Sequence, residues 1–405
     1  MAVTNTNPTL AALMGAALAL PALNSVVHAA TPTTQADINY HYNNYREGAI
    51  PSSKLARGGA ERYTVDTHQI DITAPLNVAD TSLEVALQHE VMSGASPWYI
   101  EPDAEGNPVQ VMSGATSGLS PRKISEERNS VQAKLNAPIE EYSVNISGGY
   151  SKENDYKSYN VGAELTKDIN QGMTSLELGT GYVSNTIEPT DASKYQREER
   201  YHSNDKSLYV GLTQIINARS LIQFTGLYSQ ESGFLSDPYK WIKLGNQLKT
   251  DSRPDKRRKF SFTARYRYHI EPLNASIHTD YRYFQDSWGI AANTVTLSWY
   301  QSLNSGFTLT PRIRYYSQSN ADFYLPFSYV ELQNKYHSSD YRLSAFGSIS
   351  LGVNINKKIG NWRLNAMYEN YRSGTRYALN SVAIENPGLV NFQVISLSIN
   401  YLFGD

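Results

Sequence analysis

Cysteine is missing from all 405 residues, which excludes a disulfide framework, thiolate metal ligands and a thiol nucleophile. Long apolar runs are missing too: beyond the N-terminus none approaches the roughly 20 residues that a membrane helix needs. Neither charge sign dominates. The 36 basic and 38 acidic residues leave a formal net charge of −2, so no basic field exists to attract nucleic acid. Catalytic signatures are equally scarce. There is no G-x-S-x-G elbow and no phosphate-cradling G-x-x-x-x-G-K, and His89-Glu90 is followed by Val-Met-Ser, so a zinc motif fails at its second histidine. No cofactor, no metal-ligand set and no catalytic residue is expected.

What the chain does have is tyrosine, 30 of them, and alternation. Tyrosine suits strands and the headgroup level of a membrane, where the ring is buried and the hydroxyl stays wet. From Val394 to Phe403, Ile395, Leu397, Ile399, Tyr401 and Phe403 point one way, while Ser396, Ser398, Asn400 and Leu402 point the other. A period of two marks a strand with one apolar face. At the opposite end, Leu10 to Leu20 is an apolar core of signal-peptide length, Pro21 breaks it, and Val27-His28-Ala29 offers small residues for cleavage. Residues 1–29 are therefore expected to be a cleaved export signal, and residues 30–405 one domain.

The alternating unit recurs along the mature chain. Examples are Leu83/Val85/Leu87/His89/Val91, Tyr159/Val161/Ala163/Leu165, Phe260/Phe262/Ala264/Tyr266/Tyr268, Ile277/Thr279/Tyr281/Tyr283 and Leu343/Ala345/Gly347/Ile349/Leu351. Such runs number about sixteen. Short turns (Pro138–Glu141, Asp168–Gly172, Glu271–Asn274, Lys358–Asn361) take turns with longer segments (Ser93–Glu127, Glu188–Lys206, Gly233–Arg258, Asn320–Asp340). A soluble sandwich has no reason to sort loop lengths onto two ends, whereas outer-membrane barrels do. The predicted fold is thus all-β: a transmembrane antiparallel up-and-down barrel of about 16 strands, with short periplasmic turns and long outer loops, in the outer membrane of a Gram-negative bacterium. Trp299, Tyr300, Trp362, Tyr368, Tyr401 and Phe403 are expected at its lipid interfaces.

Strand phase sends the other set of side chains inward. In the C-terminal half that set is basic: Arg265, Arg267, Arg282, Arg312, Arg314, Arg342 and Arg363. In the N-terminal half it leans acidic, with Asp71, Glu84, Glu90, Glu164 and Glu177, against which Lys134 stands alone. Guanidinium groups prefer planar anions, and a barrel of 16 strands is wide enough for an aqueous channel. The function expected is a passive, porin-like pore for small polar solutes, with some preference for anionic ones. Mutual pairing of these charges is the structural alternative. The Arg-Tyr alternation at Arg265–Tyr268 and Arg314–Tyr316 puts the rings on the lipid side, against a stacking role on nucleic acid. The segment Ser93–Glu127 repeats Met-Ser-Gly-Ala at Met92 and Met112, and Met92, Gly94, Trp98, Met112 and Gly114 are the candidates for a loop folded into the lumen as a constriction. The two methionines could alternatively offer thioethers to a soft metal. A hydrolase would need His89 and Ser96, and the outer-loop carboxylates Asp103, Glu105, Glu188 and Asp191 match no calcium loop.

Several strings carry a resemblance: Met92-Ser93-Gly94-Ala95-Ser96-Pro97-Trp98, Lys152-Glu153-Asn154-Asp155-Tyr156, Leu235-Ser236-Asp237-Pro238-Tyr239-Lys240, Asp251-Ser252-Arg253-Pro254 and Ser339-Asp340-Tyr341-Arg342-Leu343-Ser344. Across nearly the whole mature chain the sequence resembles a family of predicted Gram-negative outer-membrane barrels catalogued as a domain of unknown function. The resemblance implies no catalytic residues. It does imply a link to periplasmic redox work, and hence, as the alternative function, a scaffold for a periplasmic redox protein or an exported partner. The partners expected are outer-membrane lipid and small polar solutes.

Overall fold

The computed structural model describes residues 35–404 except Asn77, Ala79, 113–123, Asp191 and Gln196; the export signal expected over residues 1–29 lies outside them. The alternating segments fold as antiparallel strands. In chain order they are β1 (Asp37–Glu47), β2 (Leu55–Arg57), β3 (Thr64–Pro75), β4 (Ser82–Gly94), β5 (Pro97–Pro102), β6 (Pro108–Met112) and β7 (Ile124–Ile139). Then come β8 (Tyr142–Lys152), β9 (Tyr156–Ile169), β10 (Thr174–Ile187), β11 (Tyr201–Asn217), β12 (Ser220–Gly233), β13 (Trp241–Leu244) and β14 (Gln247–Thr250). The last seven are β15 (Lys256–Ile270), β16 (Ala275–Asp286), β17 (Ala291–Leu303), β18 (Phe307–Gln318), β19 (Phe346–Ile359), β20 (Trp362–Gly374) and β21 (Phe392–Leu402).

Sixteen of these strands close into one antiparallel barrel, each hydrogen-bonded to its neighbours in sequence. Closure is made by β1 on β21, in register from Asp37 opposite Leu402 to Glu47 opposite Phe392. A closed sheet leaves no unpaired backbone edge, the condition for strands to cross lipid. The outward phase is apolar and exposed: Ile395, Leu397, Ile399, Leu176 and Ile313 are each nearly half exposed, and Leu178 and Val161 more than half. A belt of that kind belongs in hydrocarbon. Trp362, Tyr401 and Phe403 form an outward aromatic cluster at one rim, with ring centroids 4.6 and 4.9 Å apart. Tyr300, expected there, points inward instead, because its strand phase stacks it on the interior His278 at 4.2 Å. Tyr316 is likewise interior, packed on Phe346.

The two ends differ. Among the described residues every non-glycine with left-handed backbone (Asp80, Glu140, Asn170, Gln171, Asn274 and Ser305) lies in a short connection at one end, as tight hairpins require. The long connections share the other end. There β2, β6 and β5 make a three-stranded sheet and β13–β14 a small hairpin. One expected strand is shorter than its alternation suggests. Leu343 belongs to a helical turn, Tyr341–Leu343, whose first free N–H, that of Arg342, is accepted by the Asp340 side chain. Leu343 is then drawn into a cluster with Trp288, Ile290 and Ala321, and β19 starts at Phe346.

Candidate functional site

Strand order places the acidic and basic walls across from each other. Counting around the ring of sixteen, β3 and β4 lie eight places from β15 and β16, and β10 lies eight from β20. Glu84, Glu90, Glu164 and Glu177 are held mostly by neutral donors: Asn136 Nδ2 gives to Glu84 at 2.8 Å, Asn145 Nδ2 to Glu164 at 3.1 Å and the Tyr209 hydroxyl to Glu177 at 2.7 Å. Glu90 accepts from Thr67 and Gln88 at 3.5 and 3.4 Å. On the basic wall Arg267 pairs with Asp280. Arg312 pairs with Glu369, crossing the intervening strand at Gly352, where a Cβ would stand only 3.7 Å from Arg312 Nε. Arg265 donates to Gln223 at 2.8 Å, and Arg282 to Ser261 at 3.1 Å. Arg282, Arg314 and Arg363 are exposed although their phase is inward. Among the described residues none of these three has a carboxylate within ion-pair reach. Pairing therefore accounts for part of the wall only.

Arg342 is not on the wall. It sits in the β18–β19 connection, within a buried set of six charges that joins two connections far apart in sequence. Arg253 binds Asp251 at 2.7 Å and Asp340 at 2.9 Å, and Arg342 binds Asp340 and, at 3.1 Å, Asp237. Lys240 completes the set and donates to the Pro97 carbonyl at 2.8 Å. Three cations thus face three carboxylates away from water. Burial alone would raise the Asp340 carboxyl, but Arg342, Lys240 and Arg253 together outweigh it and hold it well below the ordinary carboxylate range. Burial lowers the Lys240 ammonium, against Asp340 and Asp237.

The other connections at this end converge on the same knot. The Tyr341 ring lies 5.8 Å from the Arg62 guanidinium and 5.9 Å from Lys240 Nζ. The Tyr239 hydroxyl donates to Asp155, in the β8–β9 turn, and accepts from the Thr190 N–H at 3.0 Å. Asn386 donates to Ser339 O and the Tyr324 hydroxyl, and Trp288 and Ile290 pack on Ala321 and Leu343. All eight connections at this end are joined in this way. The β12–β15 connection reaches Pro97, which starts from the far side of the ring, so the chain crosses the mouth and forms a cap.

The constriction candidates divide. Met92, on the inward phase of β4, packs with Tyr63 and Val65. Met112, fully buried at the end of β6, packs with Ile50 and Ala95; the two thioethers sit in separate apolar clusters. Gly94 has φ +140°, and a Cβ there would lie 2.4 Å from the Arg62 carbonyl oxygen, so only glycine fits. Trp98 stacks edge-on to Tyr99, and Gly114 lies outside the described residues. His89 faces outward and bonds Asn129 at 2.9 Å, whereas Ser96 is buried against Pro97 O. Asp103 caps its own turn, Glu188 pairs with Lys157 and Arg200, and Asp191 lies outside the described residues.

Sequence reasoning missed one cluster. Glu126, Glu153 and Asp155 each offer an oxygen, all within 4.8 Å of one another and all buried. The signal was present: folding the chain about the turn at Glu140 pairs Ile139 with Tyr142 and Asn129 with Lys152, and continuing outward sets Glu126 across from Asp155.

Among solved structures, CdiB from Acinetobacter baumannii is 10% identical, with a TM-score of 0.50 over 91% of this chain and 60% of that one. The siderophore receptor PirA from Pseudomonas aeruginosa is 12% identical, with a TM-score of 0.41 over 85% of this chain and 57% of that one. A bacterial polysaccharide outer membrane secretin is 8% identical, with a TM-score of 0.48 over 91% and 99%. The chain thus spans about three fifths of the length of the first two, and likeness at such identities shows the fold alone. No curated protein matches. The description "Protein of unknown function (DUF3570)" covers residues 10–394, and the chain belongs to that family.

Proposed function

We propose that this barrel is a passive, porin-like channel of the outer membrane, reached through a cleaved export signal, that carries small polar solutes with a preference for anions. The observation that carries the reading is the basic wall: Arg282, Arg314 and Arg363 are exposed on the inward phase with no carboxylate partner among the described residues, opposite strands bearing Glu84, Glu164 and Glu177. A guanidinium left unpaired inside a barrel is stable only in water, and water beside fixed positive charge concentrates oxyanions. The Met92–Met112 region belongs to the cap, which limits the outer opening to what its packed connections leave.

The test is planar-bilayer conductance of the full-length protein under a salt gradient. The wild type is expected to show a reversal potential on the anion side, and Arg282→Gln with Arg314→Gln to move it toward zero. An unchanged reversal potential would make those arginines structural. Absence of current, both in the wild type and in a cap-loosened variant, would overturn the channel and turn the reading to a scaffold for a periplasmic partner.

A further inference from the structure

We propose that the outward face of β11, β12 and β15, at the capped rim, docks a phosphorylated glycolipid headgroup, one with two phosphates on a disaccharide. Lys206, Lys256 and Arg258 stand exposed there on the outward phase. Register aligns Lys206 with Gln230 and Gln230 with Arg258. The next outward row toward the cap aligns Asn204 with Ser232 and Ser232 with Lys256. Among the described residues none of the three cations has a carboxylate within ion-pair reach. The carboxylates of the same strands and their neighbour are engaged inward: Glu231 and, at 3.7 Å, Asp205 hold Lys259, and Asp286 holds Arg257. Alternation thus separates a neutralised inner face from an outer face whose charges at this rim are all positive.

Position decides what that outer face meets. Two residues along each strand from Lys206, Gln230 and Arg258 come Leu208, Tyr228 and Phe260, themselves in register and exposed. The apolar belt begins at that row, and at about 3.3 Å per residue the cations stand roughly 7 Å beyond it, at headgroup depth. Long connections mark the outer side of such barrels, where a Gram-negative outer membrane presents phosphorylated glycolipid. Lys206 and Arg258 are two strands apart, about 10 Å, with the Gln230 amide between them. Cation, amide, cation matches phosphate, sugar, phosphate, and Asn204 and Ser232 add partners for sugar hydroxyls. The guanidinium takes a phosphate bidentately and the ammonium takes one as a point charge. Acyl chains then lie on Leu208, Tyr228, Phe260 and the stacked rings of Phe224 and Phe262. Outward cations of the opposite rim are differently placed: Glu141 holds Lys167 at 2.6 Å, and Lys357 Nζ lies 4.0 Å from the Phe307 ring centroid. The inference rests on the barrel's place in the outer membrane and not on conduction.

The experiment titrates the folded, delipidated full chain in detergent with bis-phosphorylated lipid A, its dephosphorylated form and phosphatidylglycerol, and counts bound lipid by native mass spectrometry. Inorganic phosphate is the competitor. One lipid A per barrel is expected at saturation, bound at least tenfold more tightly than either other lipid and not displaced by excess phosphate. Lys206→Gln with Arg258→Gln should weaken lipid A binding at least tenfold, while the opposite-rim pair Lys167→Gln with Lys357→Gln leaves it unchanged. Heat-modifiable migration on gels verifies that each variant is folded. Unchanged lipid A affinity in the folded Lys206/Arg258 variant, equal affinity for phosphatidylglycerol, or displacement by free phosphate would overturn the site.

Discussion

Replacing Asp340 by Asn is the sharpest probe of the cap. The asparagine can still accept the Arg342 N–H that starts the turn Tyr341–Leu343, so local backbone structure is kept and the change is mainly one of charge. Before substitution Lys240, Arg253 and Arg342 balance Asp237, Asp251 and Asp340; afterwards one buried cation is in excess, and an amide N–H₂ can face Arg253 where a carboxylate stood at 2.9 Å. Removing one partner of a buried ion pair costs about 3–5 kcal/mol. At about 1.4 kcal/mol per decade the closed-to-open ratio of the cap should fall by roughly a hundredfold to a few thousandfold. The assay is trypsin cleavage within 234–255, whose rate follows the open population when reclosing is fast; the barrel strands serve as the uncut internal control. The double variant with Arg342→Gln leaves Lys240 and Arg253 against Asp237 and Asp251, and should recover at least half of the lost protection. A pH series adds a sign. Because the folded Asp340 pKa is depressed, its contribution is complete above the unfolded value of about 3.9 and is lost only as pH falls through the lower folded value. Protection that depends on Asp340 should therefore be flat from pH 7 to 5. Wild-type cleavage rates in Asp340→Asn would refute the charge argument, and so would an Asp340-dependent loss of protection already at pH 6.

Two further predictions test the barrel itself. Leu397→Arg places a charge on the outward phase and should cost about 2–4 kcal/mol near the bilayer midplane, read as a lower urea midpoint for the protein in lipid vesicles, whereas Ser398→Arg on the inward phase should be tolerated; equal effects would mean that the phase is misassigned. Gly94→Ala forces a side chain into left-handed backbone against Arg62 O and should cost about 1–3 kcal/mol, seen as earlier loss of the compact band on heating; an unchanged transition would show that the backbone there relaxes.

How far the sequence could be read depended on the range of the interaction. Period-two alternation is local, so Ile395–Phe403 announced β21, and the sorting of short and long connections announced the two ends. Phase is local too, and it put Arg265, Arg267, Arg282, Arg312, Arg314 and Arg363 on inward positions. The cap is not local: Arg253 meets Asp340 across 87 residues and Lys240 meets Pro97 across 143. Arg342 was misleading because Leu343 and Ala345 happen to continue the alternation of β19 upstream, while a side-chain cap at Asp340 bends the chain away. The carboxylate cluster lay between these extremes. One turn position and simple counting bring Glu126 opposite Asp155, yet the Glu153–Asp155 turn alone read only as a tight connection.

The same residue types meet two different environments in one molecule, and the proposed channel accounts for the contrast. In the cap, Arg253 and Arg342 each hold two carboxylate contacts, because a guanidinium out of water is tolerated only when paired. A few strands away Arg282, Arg314 and Arg363 stand exposed without such partners among the described residues, at no comparable cost if solvent fills the barrel beneath the cap. On the proposed channel reading, balanced charge marks the dry closure and unbalanced exposed charge marks the wet passage.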